Sequence, residues 1–212
     1  HINRLCWGKL SEDCSYHCTT NVSTTGDTAM EFRLRYVNRN EEYQIQTLEK
    51  ELASSLTGAH IDAPQFLNLN DLAQPVSYSC EMTLDQWSRK IEDIILFRVP
   101  WIGAMHTVAL VNVQKRNSAL QAPWPVRFTD YHKIEFPEGY RGYGLPYEQH
   151  YQCEWGRYNV SIFEEDSHLI CCREVDHLGG IIRENQYLDF KKYWEQCTRA
   201  DALDVVLMKT EK

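Results

Sequence analysis

Long apolar runs are what this sequence most plainly lacks. The longest uncharged one, residues 99–113, is broken by Pro100, Gly103, His106 and Asn112. It is too short and too polar to cross a bilayer as a helix. Positive charge is scarce as well: 22 Lys and Arg stand against 30 Asp and Glu, a net charge of −8. With no basic stripe to meet a phosphate backbone, nucleic acid is not an expected partner. No low-complexity linker and no repeat of fixed period is present. What remains is ordinary: 43% hydrophobic and 25% charged residues over 212 positions, the composition of a folded domain long enough to bury a sizeable core.

Reaction motifs are missing too. There is no GxGxxG after a strand, no GxxxxGK[ST], no GxSxG and no HExxH, which removes the dinucleotide, P-loop, hydrolase-elbow and zincin readings. The glycine-containing stretch Tyr140 to Gly144 has no helix behind it to aim a dipole at phosphate and reads as a turn. Glu164-Glu165-Asp166 reads as a solvated hairpin tip, and Asp201 and Asp204 as part of the connection before the last strand.

Eight cysteines are present: Cys6, Cys14, Cys18, Cys80, Cys153, Cys171, Cys172 and Cys197. They are too sparse and too irregular for a stapled scaffold, though one or two disulfides stay open. Alternation puts Cys14, Tyr16 and Cys18 on one strand face and His17 on the other. A structural zinc site wants two close ligand pairs, and neighbours such as Cys171 and Cys172 point to opposite faces of a strand. Buried thiols packed as small hydrophobes are the expectation. The histidines, among them His60, His106, His132, His150, His168 and His177, show no ligand spacing. No catalytic, cofactor-binding or metal residue is assigned, and no cofactor is expected. Five tryptophans, Trp87, Trp101, Trp124, Trp155 and Trp194, lie in or beside predicted elements and are expected to pack.

Periodicity gives the outline. Residues 13–25 alternate as a half-buried strand. Two helices follow, over 29–37, where Leu34 falls off the apolar face, and over 41–56, with Gly58 as its C-cap. Residues 59–69 look extended, 76–82 alternate, and 91–99 read as one further extended run. Val108 and Leu110, then Val126 and Phe128, fall in β-rich stretches. Three strands, 150–155, 158–164 and 168–175, form a meander, a helix spans 187–197, and 203–208 closes as a strand. The fold class expected is α+β, mostly β. A small strand-helix-helix N-terminal unit occupies residues 1–95, and a β-sandwich-like C-terminal unit with one late helix occupies residues 96–212, the two sharing a face.

The second half carries a succession of short motifs: Phe97-Arg98-Val99-Pro100, Lys115-Arg116, Ile134-Glu135-Phe136-Pro137-Glu138-Gly139, Gly144-Leu145-Pro146, Cys172-Arg173-Glu174, Tyr187-Leu188-Asp189-Phe190-Lys191-Lys192-Tyr193 and Ala200-Asp201. Taken in order they resemble the C-terminal β-rich region of bacterial multidomain transglutaminase-like proteins, which follows a papain-like core. The opening strand-helix-helix unit resembles the segment just after that core. The resemblance implies a non-catalytic accessory region that packs on or targets the core of the same polypeptide, or grips a protein or glycan at the cell envelope, in the periplasm or at the cell surface. The family's catalytic Cys, His and Asp belong to the core, and no position here matches them. Starting at His1 with no leader pattern, the chain is expected to be an excised piece. Two rivals remain: a self-contained enzyme with a thiol or metal site built from Cys14, Cys18 and a His, and a carbohydrate- or peptide-binding module using surface Trp and Tyr.

Overall fold

A computed structural model describes residues 1–105, 111–122 and 124–210. In chain order the elements are β1 (Ile2–Leu10), β2 (Tyr16–Thr24), α1 (Asp27–Tyr36), α2 (Glu41–Ala53), β3 (Ala59–Leu67), β4 (Val76–Leu84), β5 (Ser88–Ile91), β6 (Ile94–Arg98), β7 (Leu120–Gln121), β8 (Val126–Glu135), β9 (Tyr140–Tyr143), β10 (Tyr147–Cys153), β11 (Gly156–Glu165), β12 (His168–His177), β13 (Ile181–Ile182), α3 (Tyr187–Asp201) and β14 (Asp204–Lys209). The chain is α+β and mostly β.

Eight strands form one mixed sheet in the order β10-β11-β12-β8-β1-β2-β4-β3. A four-stranded sheet, β5-β6-β14-β9, and a two-stranded ribbon, β13-β7, accompany it. The large sheet is antiparallel except at its centre, where β1 runs parallel to β8 with Ile2 opposite Phe128 and Lys9 opposite Glu135. Strands from both halves of the chain therefore share one hydrogen-bonded sheet, and the division expected between residues 95 and 96 falls inside β6. The sandwich-like packing expected of the C-terminal half is made by both halves together: Phe97 of β6 packs on Tyr16 of β2 with ring centres 5.7 Å apart.

Alternation explains the strands that bury one face. In β4, Val76, Tyr78, Cys80, Met82 and Leu84 are buried while Ser77, Ser79, Glu81 and Thr83 face outward. That is period-2 patterning against a single covered face. Helix α2 starts where the Asn40 side chain accepts the Tyr43 N–H at 2.9 Å, an N-cap followed by Glu41 and Glu42 in the favourable first turn. It buries Leu48 and Leu52. Phe32 of α1 stacks on Tyr78 at 5.7 Å, with Leu34 exposed as its off-face position demands. Helix α3 runs on to Asp201, four residues beyond the expected end at Cys197, and buries Tyr187, Phe190, Tyr193, Trp194, Cys197, Ala200 and Asp201.

The run 91–99 is not one strand but the end of a hairpin. Glu92, at φ 52°, and Asp93 turn β5 back onto β6, where Ile91 pairs with Ile94. Two consecutive carboxylates inside an apolar run are the turn signal. Val108 and Leu110 lie outside the described residues. Helices α1 and α3 and the small sheet cover the same face of the large sheet, because their contacts (Phe32 on Tyr78, Trp194 on His177, Phe97 on Tyr16) are all with residues of that inner face. Among the described residues, no helix or strand covers the opposite face.

Candidate functional site

The inner face holds an ionic network at the seam between the halves. Arg4 of β1 donates to Asp130 of β8 at 2.9 Å. Arg173 of β12 donates through Nε to the other Asp130 oxygen at 2.9 Å and through Nη1 to Asp201 of α3 at 2.6 Å. The Asp201 carboxylate also accepts the Tyr158 hydroxyl at 2.6 Å and the Met105 N–H at 2.7 Å. Arg173 Nη2 donates to the Ile102 carbonyl at 3.1 Å, and its guanidinium lies 4.7 Å from the centre of the Trp101 ring. All four charged side chains are buried. Burial pushes the Asp130 carboxyl up, but Arg173 and Arg4 outweigh it and hold the group below the usual carboxylate range. Two cations meet two anions with their lone pairs filled, the arrangement in which buried charge is tolerated. Asp201 is therefore not part of a surface connection, as its place before the last strand had suggested; it anchors α3 to the sheet. Asp204 does sit at the start of β14, where Arg98 pairs with it at 2.9 Å.

Beside this network, a row in strand register crosses the inner face: Cys171, His132, Cys6, Thr20 and Cys80. Cys6 Sγ lies 3.4 Å from the Tyr16 hydroxyl, and the Thr20 hydroxyl is 3.7 Å from Cys6 and 3.6 Å from Cys18. A hydrogen bond from Cys18, and then the charge of His132, pull the Cys6 thiol well below the usual range despite burial. The hydrogen bond to Cys6 and burial push Cys18 far up. Burial raises Cys80 to about 12 and Cys171 well above the usual thiol range.

A thiol, an imidazole and a carboxylate thus stand near one another, as a nucleophilic site requires, but all three are buried. Both Asp130 oxygens are taken by arginines rather than by His132, and His132 Nδ1 has no hydrogen-bond partner among the described residues. The edge of Trp101 closes over His132 at 5.0 Å. Cys6, His132 and Trp101 are each 2% exposed. The thiol pair Cys14 and Cys18 does not form a ligand face: Cys14 precedes β2 in a turn at φ 73°, and Cys18 points into the core. Among the described residues, no group of three or more His, Cys, Asp or Glu is arranged to hold a metal ion, and all eight cysteines are free thiols.

The open face is the other candidate. Register aligns Phe163, Ile170, Lys133, Trp7, Thr19, Glu81 and Asp62 in one row across the sheet, and Ser161, Cys172, Tyr131, Leu5, Asn21 and Ser79 in the next. Two concavities lie on this face. One, of about 550 Å³, is lined by Trp7, Lys9, His17, Thr19, Asp62, Glu81 and Lys133 among others. The second, of about 780 Å³, is lined by Thr129, Tyr131, Glu148, His150, Asn159, Ser161 and Glu174 among others. Trp7 is 44% exposed. Around it, Lys9 pairs with Glu135 at 2.7 Å and the His17 ring meets the Thr83 hydroxyl at 3.0 Å. Such exposed pairs contribute little stability, so these groups are free to exchange partners with a ligand. Of the five tryptophans expected to pack, Trp101, Trp155 and Trp194 are buried and Trp124 is 86% exposed. The sequence reading passed over Trp7 and Tyr131, because which face of a strand is covered is set by elements far away in the chain. It also read Arg173 only as part of a family motif.

A mostly β domain with one covered and one open sheet face is the class these features define. The chain belongs to the family described as a domain of unknown function with a solved structure, DUF3858, whose model matches residues 93–207, more than half of the chain. That span holds β6 and β8 through β12, whereas β1 to β4, which complete the large sheet beyond β8, lie outside it. No curated protein matches the chain. Among the described residues, no helix is long and apolar enough to cross a membrane.

Proposed function

We propose that the chain is a non-catalytic accessory region of a transglutaminase-like protein, docking through its open sheet face onto the papain-like core or onto that core's target. The observation that carries this reading is the one-sided covering of the large sheet: helices α1 and α3 and the second sheet occupy the inner face, and the outer face presents Trp7, Tyr131 and hydroxyl and amide side chains in two broad concavities. A partially apolar, polar-rimmed face of this kind suits a protein partner. The ordered motifs that resemble the transglutaminase-like tail support the choice of core. A periplasmic or cell-surface location belongs to the same proposal. Burial of Cys6, Cys18, Cys80, Cys171 and Cys197 shields most of the thiols from oxidants there.

Calorimetric titration of the chain with a separately produced transglutaminase-like core tests the proposal. Binding that disappears in Trp7→Glu and Tyr131→Glu is the expected result. Absence of binding, or incorporation of an amine into a glutamine peptide by the chain alone, overturns it. A glycan-binding reading has one specific observation in its favour: the half-exposed Trp7 indole lies among Thr19, Asp62, Glu81 and Thr83, a stacking surface ringed by groups that bond sugar hydroxyls. Quenching or a blue shift of tryptophan fluorescence with an oligosaccharide, lost in Trp7→Ala, is its signature.

A further inference from the structure

The two edges of the large sheet are built differently. At the β3 edge, register shifts between Asp62 and Gln65, Ala63 sits at φ 47°, and Pro64 removes a donor. These are the devices by which a sheet edge is kept from pairing with another chain. In the small sheet the edge strands β5 and β9 have only four residues each. Strand β10 has no bulge and no proline and is longer than β5 and β9; its one charge is Glu148, and α3 packs against it without bonding its backbone. Its seven residues, Tyr-Glu-Gln-His-Tyr-Gln-Cys, contain no proline, lysine or arginine and pair with β11 without a register shift. Among the described residues no further strand or loop backbone bonds to its free side.

We propose that β10 is an interface between two copies of this chain, paired antiparallel edge to edge about a two-fold axis through His150. Several features select a second copy as the occupant. The register that pairs all seven residues places His150 opposite its own copy, Glu148 opposite Gln152, Gln149 opposite Tyr151 and Tyr147 opposite Cys153. No carboxylate then faces a carboxylate, so the strand meets its own copy without a like-charge clash, as an isologous contact requires. Exposure alternates along β10, with Glu148, His150 and Gln152 exposed and the other four half-buried. Pairing in this register extends both rows onto the corresponding faces of the copy. The concavity of about 780 Å³ has Glu148, Gln149 and His150 at its open margin. The second copy closes that margin with the same residues, so the outer faces of two sheets become one continuous surface. The main-chain ladder supplies the attraction, as in strand addition generally.

Sedimentation equilibrium over a concentration series tests this with three proteins: the natural chain, His150→Glu and His150→Lys. The substituted side chain is on the exposed row, so the monomer fold is untouched. The natural chain is expected to dimerise. Each variant alone is expected to dimerise about fivefold more weakly or worse, because like charges face each other across the axis. An equimolar mixture of the two variants is expected to regain dimer at least as tight as that of the natural chain, and to lose it again in high salt. A natural chain that stays monomeric at every concentration overturns the proposal; so does a dimer that neither variant weakens. An edge that serves instead to capture an extended segment of another protein shows itself as the monomeric outcome.

Discussion

Replacing Arg173 by methionine removes the cation that, among the described residues, is bonded to Asp201, while leaving Asp130 its bond to Arg4 at 2.9 Å. The hydrophobic stem is kept and the space stays filled, so the loss is electrostatic rather than a cavity. Asp201 retains the Tyr158 hydroxyl at 2.6 Å and the Met105 N–H at 2.7 Å, two neutral donors in place of a guanidinium. Breaking one side of such a pair costs roughly 3–5 kcal/mol. For a domain of this size that lowers the melting temperature by roughly 6–20 °C. Adding Asp201→Asn to Arg173→Met should recover part of the deficit, because it removes the buried carboxylate left without its arginine. Urea unfolding at neutral pH, followed by circular dichroism, measures the natural chain and both variants. A neutral-pH loss under about 1 kcal/mol, below the floor for a severed buried pair, would refute the view that this network carries its charges as ionised partners.

Other outcomes follow from single contacts. Burial against Trp194 lowers the His177 pKa to about 4, so between its ordinary value and about 4 the unfolded chain binds a proton that the folded chain does not; stability should fall by up to about 3 kcal/mol as pH drops through that window, and His177→Phe should flatten the curve. A Cβ at Gly8 would lie 2.2 Å from the Tyr16 hydroxyl and 2.4 Å from its ring in the core, so Gly8→Ala should cost roughly 1–3 kcal/mol by urea titration. Thiol labelling of the folded chain followed by mass spectrometry should modify Cys14, Cys153 and Cys172 ahead of the five buried cysteines, and all eight should react together once the chain is unfolded.

Where a single covered face imposes alternation, the fold was legible: β2, β4, β11 and β12 stand where period-2 patterning puts them, β10 spans Tyr147–Cys153 rather than 150–155, and α2 and α3 follow their apolar stripes. The centre of the large sheet was not. In β1 the inward positions are Arg4, Cys6, Gly8 and Leu10, while Leu5 and Trp7 point outward. The hydrophobic pattern is thus inverted over the strand that joins the two halves. In β8 two of the inward positions are Asp130 and His132. These strands bury charge instead of hydrocarbon, and the partners that permit it come from residues 4, 130, 173 and 201, which no local window holds together. The candidate site was hidden for a related reason. Trp7 is exposed only because every covering element sits on the other side of the sheet, and that choice is made by helices and strands far along the chain.

The placement of β1 also sets a timetable for synthesis. Arg4 and its partner Asp130 are 126 positions apart, and at about 5–20 residues per second a ribosome needs roughly 6–25 s to travel that distance. Throughout that interval the β1-β2 hairpin has one side without its neighbour, and the arginine meant for the interior has no counter-ion. Assembly of the sheet's middle must wait until residues 126–135 have emerged, so the nascent protein depends on escaping premature strand exchange while β1 awaits β8.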